Sequence, residues 1–371
     1  MYRICHLTSV HPIDDVRIFL KECTSLAANE FDVTLIACGD TAFEDIKNGV
    51  KRISLCVPVK NRLYRMIKRT KTVYKRALLV NADIYHFHDP ELLPFGLKLR
   101  NQGKKVIFDS HEFYGEQIRN KHYIYSIIRN IIANIYMKYE AYVCKRIDAV
   151  VQVCTLEGKN YFKDRAAKTI NITNAPILKE FILSNNIPFE KRECIAYIGG
   201  LTLERGITHL VQAASKAKSK LILCGNFDSE YYQKELMTLP EYSLVDYRGF
   251  IDTNKINEVL NGCFVGVSTL LNLGQYPKID TLPTKVYEYM AMGLPVILSD
   301  TFYAKELIDK FKFGICVDPS NIEEIADAII YLKNNKSLGK KMGENGRELV
   351  FCEFNWQIEE EKLLVLYNSL L

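Results

Sequence analysis

The 371-residue sequence lacks the patterns that mark disulfide-stapled, secreted or membrane-spanning proteins. Its 11 cysteines form no C-x-x-C pair, which argues against a zinc ribbon and a disulfide framework. It contains no run of 18 apolar residues and no signal peptide, so we expect a cytosolic protein that does not span a membrane. With 48% hydrophobic and 25% charged residues, the chain is long enough for two domains of ordinary composition.

Two common nucleotide-binding motifs are also missing. No G-x-G-x-x-G follows the first predicted strand and no G-x-x-x-x-G-K-[ST] occurs, which argues against a dehydrogenase and a P-loop NTPase. There is no Asp-x-Asp pair that could hold a divalent metal beside a diphosphate. We therefore predict that lysine, arginine and helix N-termini neutralise any bound diphosphate, without a metal cofactor.

What the sequence does contain is a regular alternation of short β-branched segments with helical patterns, which predicts parallel sheets covered by helices on both faces. Turn-forming residues mark a linker at 174–190. Ligands of such sheets bind beyond the carboxyl ends of the strands, so we expect the site in the cleft between two domains. The predicted strands are 3–7, 33–37, 84–88, 105–108 and 149–153 in the first series, and 194–198, 221–224, 245–247, 264–268, 296–298 and 314–317 in the second.

The segment 280–297 is the richest candidate for a binding site. Proline and glycine residues in it predict a short helix that leads into the strand at 296. The N-terminus of this helix, near Thr284, presents free backbone N–H groups, and Lys285 lies beside them. Such an arrangement suits a diphosphate.

At this segment the sequence resembles glycosyltransferase family 4, whose members are retaining enzymes with two acids, separated by seven intervening residues, ahead of an Ala-Met-x-Gly-x-Pro-Val run. The matching acids here are Asp280 and Glu288. The resemblance implies that Glu288 binds the nucleotide ribose and that Asp280 contacts hydroxyls of the donor sugar. From the residues alone, either acid could equally be an ordinary solvated residue.

The resemblance extends to the start of the second domain. The family places two phosphate-binding cations there; in this sequence Gly200 stands in place of the first, and Arg205 keeps the second. Lys285 is the candidate replacement for the missing cation. The fold implied is GT-B, an α/β fold of two Rossmann-like, doubly wound domains facing across a cleft. We place the domains at 1–180 and 181–355, with a helix over 356–371 that crosses back to the first domain.

Histidines gather at two strand ends of the first domain, at His86, His88 and His111. A structural histidine is the commonest explanation for any one of them, but this grouping favours a site. A zinc site would need ligands that converge in space, which sequence does not show. The resemblance places His111 near the transferred sugar. Asp15 and Arg17 stand near a loop that faces the donor phosphates in the family; they either bind the donor through their side chains or, for Asp15, cap a helix.

No acidic residue occurs between positions 46 and 82, whereas eleven Lys or Arg residues do. The pattern over 62–79 predicts a basic amphipathic helix whose apolar stripe either packs on the core or, given the lack of acids, meets an anionic membrane surface. The Ile- and Tyr-rich segment 123–142 either adds an apolar wall for a lipid carrier or simply packs. Because the basic excess is local and the net charge is only +5, a general nucleic-acid binder is not indicated.

Together these features predict a retaining glycosyltransferase that transfers a sugar from a nucleotide-diphosphate donor to a hydroxyl of a lipid-linked or oligosaccharide acceptor. The donor would bind the second domain and the acceptor the first. The resemblance fits enzymes that build bacterial surface polysaccharides, such as O-antigen or capsule, at the inner face of the cytoplasmic membrane. Two alternatives stay open: a nucleotide-sugar epimerase of the same architecture and a non-catalytic subunit that binds nucleotide sugars.

Overall fold

The structure is a computed structural model that describes residues 1–58, 61–119, 125–181 and 187–371. The chain divides into a first unit, Met1–Asn174 with Gln357–Leu371, and a second unit, Ala175–Trp356. The sequence places the boundary between residues 180 and 181, slightly later than the structure does. Part of the predicted linker, residues 182–186, lies outside the described residues.

An eight-stranded sheet forms the centre of the first unit, in the order β3-β4-β2-β1-β5-β6-β7-β8. All neighbouring strands are parallel except β3 and β4, which form an antiparallel hairpin at the edge. The strands are β1 (Arg3–Leu7), β2 (Asp32–Gly39), β3 (Phe43–Lys47), β4 (Val50–Cys56), β5 (Ile84–Phe87), β6 (Lys105–Ser110), β7 (Ala149–Gln152) and β8 (Thr169–Asn171).

Helices connect the parallel strands of this sheet. The first connection begins as a π-helical segment, Val16–Cys23, and continues as α-helix; a second π-helical segment, Arg65–Arg69, joins two α-helices. A short 3-10 turn spans Pro90–Leu92. The α-helices are α1 (Thr24–Ala28), α2 (Arg62–Tyr64), α3 (Thr70–Val80), α4 (Leu93–Asn101), α5 (Tyr114–Arg119) and α6 (Ser126–Cys144).

The second unit contains a six-stranded, fully parallel sheet in the order β11-β10-β9-β12-β13-β14. Its strands are β9 (Cys194–Ile198), β10 (Leu221–Cys224), β11 (Val245–Gly249), β12 (Cys263–Ser268), β13 (Val296–Ser299) and β14 (Gly314–Val317). Its α-helices are α7 (Ile207–Lys216), α8 (Glu230–Met237), α9 (Thr253–Asn261), α10 (Thr284–Ala291), α11 (Phe302–Phe311), α12 (Ile322–Asn334) and α13 (Lys336–Cys352). Short 3-10 turns are Leu178–Glu180, Phe189–Lys191, Pro240–Leu244 and Tyr276–Lys278.

Two hydrophobic cores lie on the two faces of this second sheet. On β9, Ala196 and Ile198 belong to one core, whereas Ile195 and Tyr197 belong to the other. This alternation is what a doubly wound sheet requires, because successive side chains of a strand point to opposite faces. The predicted fold class, two Rossmann-like α/β domains, is confirmed.

The last helix, α14 (Trp356–Asn368), belongs to the first unit from Gln357 onward. Each strand predicted from the sequence is present, but β3, β4 and β8 were not predicted. The basic stretch therefore includes the end of β3 and all of β4 as well as the helix expected over 62–79. Among the described residues, no helix combines the length and the apolarity needed to cross a bilayer.

Helix α13 approaches the backbone after α10 so closely that only glycine fits at one of its positions. A Cβ atom on Gly343 would lie 2.0 Å from the carbonyl oxygen of Gly293. We expect Gly343→Ala to lower the unfolding free energy of the second unit by about 1–3 kcal/mol, because the helix must move away. Calorimetric unfolding measures this, with the exposed neighbour Glu344→Ala as control; equal melting temperatures for the two variants would contradict it.

Candidate functional site

In the first unit, three neighbouring parallel strands carry histidine and aspartate side chains to one edge of the sheet. His6 on β1 pairs in register with His86 on β5, and Asp109 lies on the adjacent strand β6. His88 and His111 follow β5 and β6 directly. The structure thus brings together the three histidines that the sequence singled out, and it adds His6 and Asp109, which the sequence analysis did not identify.

The carboxylate of Asp109 is the centre of this group. Arg17 donates from Nε to Oδ2 at 2.9 Å and from Nη2 to Oδ1 at 3.1 Å. The same Oδ2 lies 3.3 Å from His88 Nδ1 and 3.2 Å from His111 Nε2. One buried carboxylate therefore holds two imidazole rings and one guanidinium group in fixed positions.

Electrostatics in this group follow from burial and from the arginine. Burial alone would raise the pKa of Asp109, but Arg17 and the two histidines hold that pKa well below its usual range. Burial lowers the pKa of His88 to about 4, although Asp109 counteracts this. Asp109 is therefore ionised and His88 neutral at physiological pH.

Arg17 and Asp15 were predicted as donor-binding residues, and the structure gives both of them partners within the first unit. Besides Asp109, Arg17 binds the carbonyl oxygen of Ile172 at 3.0 Å, and its side chain is almost fully buried. Asp15 accepts from the backbone N–H of Ile18 at 2.9 Å, which makes it the cap of the π-helical segment Val16–Cys23. The helix-capping alternative is the one that the structure shows for Asp15.

Two further residues, one in the loop after β1 and one after β5, hold this region in place and were not singled out from the sequence. Asp89 is buried and accepts hydrogen bonds from Thr8 and Ser9, so it fixes the backbone that follows β1. His11 contacts Asp15 at 3.2 Å. Burial would lower the pKa of His11, but the hydrogen bond to Asp15 and the charge of Asp89 raise it above its ordinary value.

A cavity of about 370 Å³ opens in front of these residues. His11, His88 and His111 contribute to its wall, as do Arg65 and Tyr114. Its lining combines hydrogen-bonding groups with apolar ring faces, as sugar-sized polar ligands require. The complete lining is Val10, His11, Arg65, His88, Asp89, Pro90, Glu91, Phe108, Ser110, His111, Glu112, Tyr114 and Gln117.

In the second unit, Lys285 lies in the first turn of α10 with its ammonium group buried. Its Nζ lies 3.6 Å from the centre of the Tyr197 ring and makes no hydrogen bond within the described part of the chain. Burial, together with the positive charge of Arg205, lowers the pKa of Lys285 well below its ordinary value. A buried cation of this kind is strongly favourable for an anionic ligand that reaches it.

The glycines at the end of β9 leave room for these two cations. A Cβ atom on Gly199 would lie 3.0 Å from Lys285 Nζ and 3.8 Å from Arg205 Nη1. A Cβ atom on Gly200 would lie at a similar distance, 3.6 Å, from Arg205 Nε. The sequence-predicted pair Arg205 and Lys285 is therefore brought to one place, at the carboxyl end of the central strand.

The predicted acids lie on either side of the α10 N-terminus. Glu288 is half-buried, three residues after Lys285 and thus on the same helix face, where its charge favours the protonated lysine. Asp280 and Thr284 are also half-buried, in the preceding loop and at the first helical position. The short helix predicted from the sequence is present as α10, with eight residues.

The helix predicted over 62–79 exists as α2, the segment Arg65–Arg69 and α3, but much of its charge is paired within the first unit. Arg65 binds Glu91 at 2.6 Å, and Arg76 binds Glu44 at 2.6 Å. Arg69 is buried and donates to the carbonyl oxygen of Val57 at 2.8 Å. The side chain of the residue at 62 is outside what the structure describes.

Among the described side chains of this helix, the charges most open to water are those of Lys68, Lys71 and Lys75. Beside them the helix exposes Leu63 and Ile67. Both belong to the apolar stripe for which the sequence allowed either packing on the core or contact with a membrane.

Helix α6 also exposes a row of apolar side chains. Ile127, Ile131 and Ile135 follow one another at intervals of four residues, with 75%, 53% and 64% of their surface exposed. Tyr125 and Tyr142 are exposed near the two ends of this helix. The segment predicted at 123–142 therefore does not simply pack; its first two residues lie outside the described residues.

Comparison with known families identifies both halves of the chain. A model described as "Glycosyl transferases group 1" matches residues 179–349, and one described as "Glycosyltransferase Family 4" matches residues 17–167. The chain belongs to glycosyltransferase family 4. This family has the GT-B fold. Arg205 and Lys285 lie within the group 1 match. Asp109, His88 and His111 lie within the family 4 match.

Curated relatives among the glycosyltransferases are distant. The chain is 28% identical over 218 residues to the capsular polysaccharide biosynthesis glycosyltransferase CapM of Staphylococcus aureus, covering 54% of each protein. It is 22% identical over 191 residues to the alpha-D-kanosaminyltransferase of Streptomyces kanamyceticus, covering 49% of this chain and 47% of that one. The chain thus matches about half the length of these relatives.

Solved structures show the same fold over the whole chain. The sucrose-phosphate synthase of Thermosynechococcus elongatus superposes with a TM-score of 0.78 at 19% identity, covering 100% of this chain and 99% of that one. HepE of Anabaena, in complex with UDP and glucose, superposes with a TM-score of 0.72 at 13% identity, covering 100% of both chains.

The pair Arg17–Asp109 generates a prediction for this glycosyltransferase. Arg17→Met leaves the buried Asp109 carboxylate without its main partner, and we expect it to lower the unfolding free energy by about 3–5 kcal/mol. Urea unfolding followed by circular dichroism measures the loss. The control is Arg119→Met, which removes a partly exposed ion pair with Glu116 and should change stability by at most about 1 kcal/mol. Equal effects of the two substitutions would contradict the central role of Asp109.

Proposed function

We propose that the chain is a retaining glycosyltransferase that moves a sugar from a nucleoside diphosphate donor to a hydroxyl of a glycan acceptor. The observation that carries this proposal is the buried Lys285 ammonium, which meets Arg205 at the carboxyl end of β9 and lies in the first turn of α10. Two cations and a helix N-terminus at one point favour a diphosphate over a single carboxylate or a neutral ligand.

The donor roles follow from positions around this point. Arg205 and Lys285 neutralise the diphosphate, and the N-terminus of α10 at Thr284 adds its backbone N–H groups. Gly200 allows the donor to approach the backbone. Glu288 accepts hydrogen bonds from the ribose, and Asp280 contacts hydroxyls of the donor sugar. Structures of HepE with UDP-glucose and of the Escherichia coli protein with UDP-2-fluoro glucose make uridine nucleotides the first donors to test.

The acceptor would bind the cavity of the first unit, where His111 is held by Asp109 at 3.2 Å and stands in the cavity wall. His111 then contacts the transferred sugar or the acceptor hydroxyl. The rate enhancement comes mainly from stabilising the departing diphosphate, with cations from the protein in place of a metal. The acceptor oxygen attacks the sugar on the same face from which the diphosphate leaves, and an oxygen of the leaving phosphate accepts the proton of the acceptor hydroxyl. No enzyme nucleophile is therefore required.

Nucleotide binding should be coupled to proton uptake at Lys285. Because burial lowers the pKa of Lys285 in the free protein, a diphosphate raises it again on binding, and a proton enters the site at alkaline pH. Calorimetry with UDP in two buffers of different ionisation enthalpy measures this uptake. Lys285→Met should abolish it, and Glu288→Gln should weaken UDP binding by about 1.5–3 kcal/mol without removing it.

The control for these variants is Lys255→Met, an exposed lysine of the second unit. Binding and transfer should persist with EDTA in the assay. A Lys285→Met protein with unchanged UDP affinity, or a loss of activity in EDTA that Mg²⁺ or Mn²⁺ restores, would contradict the proposed donor site.

Incubation with UDP-sugars alone separates the alternative functions. Epimerised sugar indicates an epimerase, and binding without transfer to any acceptor indicates a non-catalytic subunit.

We further propose that the first unit docks on the anionic inner face of the cytoplasmic membrane, where a lipid-linked acceptor for surface polysaccharide is presented. The exposed lysines Lys68, Lys71 and Lys75 and the isoleucine row of α6 support this. Basic residues attract anionic lipids, and exposed apolar side chains enter the headgroup boundary. CapM of Staphylococcus aureus is described as a capsular polysaccharide enzyme, which favours such an acceptor.

Replacing Lys68, Lys71 and Lys75 with Gln should weaken binding to anionic vesicles roughly a hundredfold, because each lysine near the surface contributes about 1 kcal/mol. Transfer to a short soluble acceptor analogue should stay nearly unchanged. Sedimentation with vesicles at low salt measures the binding. The control replaces three exposed lysines of the second unit, Lys255, Lys310 and Lys341. Wild-type protein that ignores anionic vesicles at low salt would contradict the membrane proposal.

A further inference from the structure

Four side chains meet in the interior of the first unit behind the cavity: His6, Glu22, His86 and His88, called the interior cluster below. One nitrogen or oxygen from each lies within 4.8 Å of those of the others. All four side chains are fully buried. They come from β1, from the π-helical segment Val16–Cys23, and from β5 with the residue that follows it.

The carboxylate of the interior cluster lies at an unusual distance from the three rings. Glu22 Oε2 is 3.9 Å from one nitrogen of each histidine, which is too long for a hydrogen bond. The other oxygen, Oε1, is 3.1 Å from Arg17 Nε, yet neither oxygen has a hydrogen-bond partner in the part of the chain that the structure describes. Both oxygens of this buried carboxylate therefore lack a hydrogen-bond donor among the described residues, and each of the three rings around it presents a nitrogen that can bind a cation.

We propose that the interior cluster binds a divalent first-row transition-metal ion, with Zn²⁺ as the expected occupant. Three imidazole nitrogens and one carboxylate oxygen form a donor set that zinc accepts in tetrahedral geometry. Bonds of about 2.0–2.1 Å place tetrahedral ligand atoms about 3.3–3.4 Å apart. The separations here, 3.0 Å between His6 Nδ1 and His88 Nε2 and 3.9 Å to Glu22, lie on either side of that value.

The outer nitrogens of two of the rings have the partners that metal-bound histidines need. With His88 Nε2 on the ion, its Nδ1–H donates to Asp109. With His6 Nδ1 on the ion, its Nε2–H donates to the hydroxyl of Tyr367, 3.1 Å away. Such outer contacts orient ligating histidines and raise their basicity.

The full burial of the interior cluster makes the ion structural. A closed site leaves no position for substrate or water, in contrast to a catalytic zinc site. The ion joins β1, β5 and the π-helical segment, and it fixes which nitrogen of His88 carries the proton. Through Asp109 it then positions His111, the residue proposed to meet the sugar. This ion is separate from the donor site, where the protein's own cations act.

The test is the metal content of the full chain, purified with a tag that contains no histidine from cells grown with added Zn²⁺. After dialysis against metal-free buffer, plasma mass spectrometry should find about one zinc ion per chain. Glu22→Gln and His86→Gln should each lower this content at least fivefold. Two controls should keep it: Glu140→Gln, a buried carboxyl on α6, and His209→Gln in the second unit.

A second measurement covers the case in which the cluster variants fail to fold. Wild-type protein from cells grown with Co²⁺ should show the visible absorption of tetrahedral cobalt, and unfolding in guanidinium with a chromogenic chelator should release the ion stoichiometrically. Wild-type protein with less than a tenth of an ion per chain, whose melting temperature does not respond to added Zn²⁺, would overturn the proposal. The interior cluster would then be a metal-free hydrogen-bonded chain. UDP binding is an independent readout, because it tests the second unit alone.

Discussion

The salt bridge between Arg17 and Asp109 is the interaction on which the first unit's chemistry depends. A carboxylate in the interior is stable only with a partner of opposite charge and with its lone pairs satisfied. Arg17 supplies both through two parallel hydrogen bonds. Because Asp109 is thereby kept ionised, it accepts from His88 and His111 and sets the orientation of both rings. The cavity wall is therefore ordered from behind by a buried pair that does not itself line the cavity.

The second unit solves a different problem, which is how to bring anion-binding groups close to a strand end. A Cβ on Gly225 would lie 1.8 Å from the carbonyl oxygen of Gly199, so the turns after β9 and β10 are in backbone contact. This contact leaves the space above Gly199 to the lysine and arginine side chains. The lysine arrives from α10 and not from the glycine turn itself, which supports the proposal that Lys285 supplies the cation that Gly200 cannot.

The success of sequence analysis here depended on burial. Strands such as β9 and β12 are buried on both faces, so their continuous apolar runs are easily identified. The edge hairpin β3–β4 was missed because β3 is exposed throughout and charged. A signal was present in Asn48-Gly49, both of which adopt positive φ, as a two-residue hairpin turn requires. Strand β8, with three residues, is too short for any periodicity.

For the sites, the sequence located groups that follow strands or begin helices, such as His111 and Lys285. It could not locate Glu22, which lies in a helical pattern and would ordinarily be solvated, nor Tyr367, which arrives from the last helix of the chain. The sequence also could not reveal that Arg17 pairs with a buried carboxylate. That residue faces Asp109, 92 positions away, and only the folded sheet brings the two together.

The π-helical geometry of Val16–Cys23 determines which side chains can share that interior. In an α-helix, with 3.6 residues per turn, two positions five apart point about 140° away from each other. Hydrogen bonding from i to i+5 instead brings such positions nearly over one another. Arg17 and Glu22 are five apart, and both face Asp109 and the histidines. The wider turn of this segment thus lets a single helix deliver a cation and an anion to the same point, so the length of the segment is as much constrained as its composition.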